Sequence, residues 1–520
     1  MKLSKLLERI ENYEIYGKEV TITNITDNSQ KVKKGSLFIA IKGLTVDGHK
    51  YIKQAIKKRA RAIIGEMEFN KEWGENITYV KVSDSRKALG IAASAFYGYP
   101  SEKLKVIGVT GTDGKTTTTT MLHHILEKQG YKVGSISTVS AKIGREIYET
   151  GLHTTTPGPL ALNFLLKEMV KKNYEIAILE VTSHGLDQKR VEGIKFYGAI
   201  LTNITKEHLD YHKNFKNYVN TKLKLFKRKE LKLVVLNKDD RNFNLVKSQI
   251  KQDVKLYTYS LKDSKSDFFA KLLSTKDLII EFEIKHLGKK YKAKSPIFGE
   301  YNIANVLAST AVAHHLKVNK KTLKKATETF RLPKGRAEEI KNDKGFRIFI
   351  DFAHTPSSLK KLLISAKKLL KKDSRLICIF GCAGERDTTK RIYMPKIATK
   401  YAQVSIFTAE DPRREKVSDI LSVMENAVLK SNVKKINLKN LGKKNNKQKG
   451  NVFLTIEDRG KAIFYAINRI AKKGDVIFVL GKGHERSMNY NGIEYYWSDK
   501  EAVLEALRKK IFKLSHVQKI

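Results

Sequence analysis

Cysteine is almost absent: the 520-residue chain has two, Cys378 and Cys382. Their CIFGC spacing has no second pair to complete a four-ligand metal site, so they read as buried free thiols beside a strand end. Also missing is any apolar run of about 18 residues, which argues against a membrane-spanning helix and a stable membrane association. The opening MKLSKLLERIENYEIYG carries charges where a secretion signal needs its apolar stretch, so a cytoplasmic protein is expected. Acidic residues are outnumbered, 54 against 101 basic ones, for a net charge of +47. Such an excess raises nucleic acid as a partner. The lysines, however, are spread along the whole chain, and no RNA-binding or helix-turn-helix signature accompanies them. Solvated surface lysine and no nucleic-acid partner is the expectation, with a general positive field that favours anionic substrates.

Against these absences stands a chain that is 41% hydrophobic and long enough for two to four domains. Residues 1–98 mix short strands and helices and read as a small α/β domain. From 99 to 332, buried-strand runs such as KVIGVTG, EIAILEVT, GAILTNI and LKLVVLN alternate with helical patterns. That rhythm predicts a mostly parallel sheet with helices on both faces. LIIEFEIKHLGKKYKAKSPIFG reads as a short antiparallel excursion within it. From 333 to 520 the βα alternation resumes as a third, Rossmann-like domain. The stretch NLKNLGKKNNKQKG, residues 437–450, is low in complexity and reads as a solvated surface loop. The expected fold is thus α/β in three domains.

The segment GVTGTDGKTTTT, Gly108 to Thr119, follows a strand and opens a helix, which is the context of a phosphate-binding loop. Val109 stands where the strict motif has its first glycine, and Gly108 and Gly111 are read as supplying the turn. Backbone N–H groups at Gly111, Thr112, Asp113 and Gly114 would cradle phosphate oxygens at a helix N-terminus. Lys115 would place a charge on the β- and γ-phosphates, and a hydroxyl of Thr116 or Thr117 would ligate Mg²⁺. Glu180 closes the strand EIAILE, where a carboxylate beside such a loop is placed to hold Mg²⁺.

Six segments in order, GVTGTDGKTTTT, EVTSHGLDQKRV, TNITKEHLDYH, GEYNIANVLAS, DFAHTP and GKGHE, resemble the successive signatures of the Mur ligases. Those are the ATP-dependent enzymes that add amino acids in peptidoglycan synthesis, and the likeness spans nearly the whole chain. Within the family it runs to the members that add the third residue of the stem peptide. The resemblance implies ATP and Mg²⁺ as cofactors. As substrates it implies UDP-N-acetylmuramoyl-L-alanyl-D-glutamate and a free diamino acid; a monomer is the expectation.

Residue by residue, the likeness makes His208 a companion metal ligand and Lys222 the family's carbamylated lysine. Lys115, Lys222 and His208 would then be catalytic. Asn302 and Asn305 would face the adenine, while Arg336, Asp351 and His354 would meet the nucleotide from the third domain. Thr155, Thr156, Thr182, Gln188 and Arg190 would contact the UDP-linked substrate. Ser29 and Thr45 would do so from the N-terminal domain, where the family's Asp-Ser-Arg reads Asn28-Ser29-Gln30. Arg391, Asp411, Arg413, Gly481 and Glu485 match contacts to the incoming amino acid. The family's Asp-Asn-Pro-Arg reads Glu410-Asp411-Pro412-Arg413. Arg413 suits the carboxylate of diaminopimelate. The added negative charge at Asp411 leaves lysine or another diamino acid open.

The implied reaction phosphorylates the γ-carboxylate of D-glutamate and lets the α-amine of the amino acid attack the acyl phosphate. Folylpolyglutamate synthetase shares the central pattern but needs neither the N-terminal domain nor the EDPR segment. A basic, polynucleotide-stimulated ATPase is the alternative that the net charge suggests.

Overall fold

Short apolar runs separated by charged turns organise the chain into successive sheets, seen in a computed structural model that describes residues 1–43, 46–74, 76–150, 155–431, 433–437 and 450–516. The N-terminal sheet has five strands. Tyr13–Tyr16 pairs antiparallel with Thr78–Val82, and Ala62–Gly65, Ser36–Ile39 and Asn24–Thr26 continue it in parallel. Helix Ser85–Phe96 opens at Asp84, whose carboxylate accepts from the Lys87 N–H. Its small apolar face (Ala88, Ala92, Ala95) packs on Ile39, Ile64 and Val80.

The central sheet has eleven strands. Lys105–Thr110 lies between Ile176–Glu180 and Gly198–Leu201, parallel to both. Alternate residues of these strands feed two cores. Ile107, Ile178 and Ile200 meet helices Lys115–Gln129 and Tyr301–His315 on one face. Val106, Ala177 and Leu201 meet helices Pro159–Lys171 and Phe215–Phe226 on the other. Burial on both faces is why these strands read as unbroken apolar runs. The expected antiparallel excursion is present: Ile279–His286 and Lys289–Ser295 pair antiparallel and carry the sheet to its edge.

The third domain is a seven-stranded sheet, parallel except for Glu338–Ile340 against Arg347–Asp351. A separate small sheet of Ser487–Tyr490, Ile493–Tyr496 and Ser515–His516, which the sequence reading did not anticipate, follows it. The chain thus forms three α/β domains. Cys378 and Cys382 are free and buried, the first within strand Leu376–Phe380. Among the described residues no helix is long and apolar enough to cross a membrane. Thr45 and residues 438–449 of the low-complexity stretch lie outside the described residues.

Candidate active site

The carboxyl ends of the central and third-domain strands converge on one cavity of about 890 Å³. Parallel sheets collect ligands at such ends, near the point where strand order reverses. In the central sheet that point is Lys105–Thr110, whose chain-following strands leave to opposite sides. The phosphate loop follows it directly.

The turn is made by Gly111 (φ 151°) and Gly114 (φ 86°). A Cβ at Gly114 would meet the Asn305 side-chain oxygen at 2.5 Å, so the loop can approach this helix only without a side chain. Gly108 does not belong to the turn, contrary to the sequence reading. It lies inside the strand and makes room for Phe196. Asn203 fixes the loop from the next strand end, accepting from the Asp113 N–H at 3.1 Å and donating to the Asp113 carbonyl at 2.9 Å. Helix Lys115–Gln129 therefore begins with its N-terminus aimed into the cavity. Lys115 Nζ donates to the Gly111 and Thr112 carbonyls at 3.1 and 2.8 Å, which holds the ammonium over the loop.

Glu180 is buried at its strand end and accepts from the Thr116 hydroxyl at 3.2 and 3.0 Å. The Thr138 N–H and hydroxyl supply two further donors at 3.1 and 3.0 Å. Among the described residues no cluster of three or more His, Cys, Asp or Glu side chains is placed to hold a metal ion. One carboxylate and one hydroxyl beside a phosphate cradle is the donor set that suits Mg²⁺, which takes few protein ligands and fills its shell with phosphate oxygens and water. His208 lines the same cavity with a left-handed backbone (φ 54°), its ring against His184 at 4.6 Å. Burial holds its pKa well below the ordinary histidine value.

Lys222 does not line the cavity. It lies beneath the loop, 1% exposed, with Nζ donating to the Gly111 carbonyl at 2.8 Å and standing 4.8 Å from the Tyr218 ring. Burial, then the neighbouring Lys115, holds its ammonium well below the ordinary lysine pKa.

Helix Tyr301–His315 brings Asn302 and Asn305 to the cavity. Asn305 donates to Asn302 at 2.7 Å, and Asn302 donates to the Phe298 carbonyl at 2.6 Å. From the third domain, Arg336 donates to the Thr116 hydroxyl at 3.3 Å. Asp351 accepts from the Ala337 and Ala353 N–H groups, each at 2.7 Å. His354 bonds Glu207 at 3.1 Å, and Lys390 reaches the same carboxylate at 3.5 Å. Burial pushes the Glu207 pKa up, but His208, Lys390 and His354 outweigh it and hold the carboxyl well below the ordinary value. Glu207, next to His208 in the TNITKEHLDYH segment, thus joins the two domains across the cavity.

On the other flank Thr155 and Thr182 line the cavity. Thr156 is fully buried, bonding Thr182 and the Glu180 carbonyl at 3.0 Å each. Gln188 and Arg190 lie outside the cavity. Arg190 donates to the Thr156 carbonyl at 2.8 Å and to Gln188 at 2.7 Å. Burial, Tyr211 and then Arg86 of the N-terminal domain act on its guanidinium, which places this pair near the seam with that domain. Ser29 is buried in a turn of the N-terminal domain, away from the cavity lining.

The amino-acid candidates divide. Arg413, Asp411, Gly481 and Glu485 line the cavity. Arg391 does not: it is buried, donating bidentately to Glu415 at 2.7 and 2.8 Å. Arg386, five residues earlier in the same GERDTTKR segment, lines the cavity instead, and burial and the nearby Arg413 lower its pKa. Asp411 does not present a bare charge. Lys482, fully buried, donates to both of its oxygens at 3.0 and 2.9 Å.

Glu410 also lines the cavity, its Oε2 buried without a hydrogen-bond partner among the described residues. A Cβ at Gly481 would meet that oxygen at 2.1 Å. Burial, against Arg459, His354 and Lys482, pushes the Glu410 pKa from 4.5 up to about 7. Below the ordinary value the carboxyl is protonated whether the chain is folded or not. Between the two values the folded protein keeps a proton that the unfolded chain releases, so stability falls as pH rises through that window, by up to about 3 kcal/mol. Glu410→Gln is therefore expected to gain melting temperature over the parent from about pH 4.5 to 7 and to hold a constant advantage above. A difference that stays flat across this range would show that Glu410 is ionised like a surface carboxylate.

Comparison with known proteins bears on the whole chain. Residues 21–97 match the model described as Mur ligase family, catalytic domain, residues 109–313 the Mur ligase middle domain, and residues 335–483 the Mur ligase glutamate ligase domain. UDP-N-acetylmuramoyl-L-alanyl-D-glutamate–2,6-diaminopimelate ligase of Clostridium tetani (strain Massachusetts / E88) is 37% identical over 98% of this chain and 100% of its own length. The enzyme of the same name from Bacteroides fragilis is 37% identical over 99% of this chain and 100% of its own. A solved structure of an enzyme with that name superposes with a TM-score of 0.63 at 26% identity, covering 94% of this chain and 95% of that one.

Proposed function

The chain belongs to the Mur ligase family, and we propose that it joins 2,6-diaminopimelate, in its meso form, to the D-glutamate of UDP-N-acetylmuramoyl-L-alanyl-D-glutamate with consumption of ATP. It is an ATP-dependent ligase that forms a peptide bond in peptidoglycan synthesis. The observation that carries the reading is identity running from end to end, 37% over 98% of the chain, with ligases named for that reaction.

A carboxylate is a poor electrophile, so the γ-carboxylate of D-glutamate first attacks the γ-phosphorus of ATP and ADP leaves. The α-amine of diaminopimelate then adds to the acyl phosphate carbonyl, inorganic phosphate departs and the amine gives up a proton. The loop N–H groups from Gly111 to Thr117 and the Lys115 ammonium meet the phosphates. Glu180 and Thr116 would hold Mg²⁺, with His208 beside them, and the ion would supply positive charge against the transferring phosphoryl group. Asn302 and Asn305 face the base, and Asp351 faces the ribose. Arg336 spans from the third domain to Thr116, next to the phosphates. The muramoyl substrate enters from the N-terminal domain, past Ser29, Gln188 and Arg190, and reaches Thr155 and Thr182 at the cavity. Arg386 and Arg413 receive the carboxylate at the far end of the amino acid. Arg386 takes the place that the sequence gave to Arg391. The enzyme works as a monomer in the cytoplasm, without nucleic acid.

The test is phosphate release by the purified protein with ATP, Mg²⁺ and UDP-N-acetylmuramoyl-L-alanyl-D-glutamate, run against meso-diaminopimelate, L-lysine and L-ornithine. Turnover with diaminopimelate, and a product heavier by one diaminopimelate residue, are expected. Turnover only with a folate acceptor, or only when a polynucleotide is added, would overturn the reading.

A further inference from the structure

Behind the amino-acid end of the cavity lies a buried ion pair that the reaction, as derived above, does not use. Arg459, 1% exposed, opens helix Arg459–Tyr465, and Asp499, 0% exposed, opens helix Asp499–Leu507. The guanidinium donates to both Asp499 oxygens at 2.8 Å, and the Trp497 indole N–H donates to the same carboxylate at 2.9 Å. Such a pair is weak evidence for stability, since apolar residues of similar volume often serve as well. What sets this one apart is where its other N–H groups go. Nη1 donates to the Ala409 carbonyl at 3.2 Å and Nη2 to the Leu480 carbonyl at 2.7 Å. Leu480 ends strand Val476–Leu480, and Ala409 lies just past strand Val404–Phe407. Strand Leu376–Phe380 runs between the two, so Arg459 bridges segments that no strand pairing joins directly. The residues that follow these carbonyls, Glu410 and Gly481, meet at the cavity. The Glu410 Oε2 lies against Gly481 and has no hydrogen-bond partner among the described residues.

Building on the reading of this cavity as a diaminopimelate site, we propose that Arg459 is a positioning residue: by holding the Ala409 and Leu480 carbonyls it seats the Glu410 carboxylate to receive the ammonium that stands beside the far carboxylate of the amino acid. The far end of diaminopimelate is a zwitterion, so its receptor needs an anion as well as a cation. Arg386 and Arg413 supply the cations. Of the carboxylates in that wall, Asp411 and Glu485 are both engaged by Lys482, which leaves Glu410 for the ammonium. A buried carboxylate with no partner tends to keep its proton. Burial acts on Glu410 in that sense, and the charge of Asp411 adds to it. Arg459 is the foremost charge in opposition, followed by His354 and Lys482. The Cys382 thiol nearby, its pKa pushed up by burial, carries no charge. The N–H groups of Arg459 go to Asp499 and the two carbonyls, so the guanidinium favours the Glu410 anion from behind and leaves Oε2 open to the substrate.

The experiment measures KM for meso-diaminopimelate, for ATP and for UDP-N-acetylmuramoyl-L-alanyl-D-glutamate in the full-length protein and its variants. Arg459→Lys keeps the charge but cannot hold two carbonyls and a bidentate carboxylate together. Its KM for diaminopimelate is expected to rise about tenfold, and the other two KM values to stay within about twofold of the parent. Arg459→Met/Asp499→Leu removes both buried ions at once, which spares the fold an unpaired charge, and is expected to show the same selective rise. Glu410→Gln should raise that KM too, and adding either Arg459 change to it should raise it little further, because both act through one contact. In the parent this KM should climb as pH falls below about 7, where Glu410 gains its proton. In Arg459→Met/Asp499→Leu the climb should begin at a higher pH, since the charge that favours the anion is gone, and in Glu410→Gln it should be absent. A similar rise in all three KM values overturns the proposal, as do effects of the Arg459 and Glu410 changes that multiply. Either Arg459 variant gives these readings, so one that does not fold leaves the other to decide. If the parent protein does not turn over diaminopimelate, the reading of the cavity fails first. If it does, and the Arg459 variants leave its KM unchanged, only the role of Arg459 falls.

Discussion

Lys115→Ala is expected to lower turnover by about 10³-fold, close to 4 kcal/mol of transition-state stabilisation, while the protein stays folded. Lys115 is the first residue of its helix, and its ammonium is held by two neutral carbonyls, those of Gly111 and Thr112. Among the described residues no carboxylate pairs with it. Its full charge is therefore available to the phosphates, in a cavity where the field is weakly screened. The same geometry makes the structural cost small. The Gly111 carbonyl keeps its bond from Lys222, and the Thr112 carbonyl is left at the cavity, open to water. The variant's circular dichroism and melting temperature should match the parent, and its kcat should collapse. Lys115→Met, similar in length but uncharged, should fail equally, which separates charge from bulk. A Lys115→Ala enzyme within threefold of the parent rate would mean that phosphoryl transfer does not use this loop.

The architecture was legible in the sequence because burial on both faces writes parallel strands as apolar runs, and every such run named in the central domain became a strand. Local chemistry was legible where the residues concerned are close in sequence. The loop from Gly111 to Thr117 is one segment, and Glu180 declares itself by ending a strand. What was not legible depends on pairs far apart in the chain. Arg391 and Arg386 share one segment, and nothing within it says which faces the cavity. The answer is Glu415, 24 positions away, which captures Arg391. Asp411 reads as an added negative charge until Lys482, 71 positions on, is seen to cancel it. Glu207 reads as a neighbour of His208 until His354 and Lys390 of another domain are seen to converge on it. The small terminal sheet is a different omission. Asn491 and Gly492, both with positive φ, form a two-residue turn between Tyr490 and Ile493. That dipeptide is a hairpin signal in its own right.

The other large effect is expected at Lys222. A lysine buried beneath the loop, with one carbonyl and one aromatic face as partners, makes no ion pair among the described residues, and burial and Lys115 outweigh the pull of Glu207, Asp113 and Glu180 on its ammonium. Desolvation favours the neutral amine. We propose that Lys222 is carbamylated: CO₂ adds to the neutral amine, a nitrogen–carbon bond forms, one proton leaves, and the side chain becomes a carbamate anion. The change would invert the charge beneath the loop, adding an anion behind the turn that cradles the phosphates and their Mg²⁺. Lys222→Ala should therefore lose about 10³-fold in turnover, in the range that follows removal of one group that stabilises transition-state charge. Lys222→Arg, which cannot become neutral, should fail as well. Acetate or formate, entering the space left in Lys222→Ala, should restore part of the rate and should not speed the parent. Stability should move independently. Lys222→Met removes a buried amine with one hydrogen bond and should keep or raise the melting temperature, since the Gly111 carbonyl still accepts from Lys115. Enzyme prepared with ¹³C-bicarbonate should show a carbamate carbon resonance that is absent from Lys222→Met. If active parent enzyme lacks that resonance, Lys222 acts as the amine itself and the anion beneath the loop does not exist.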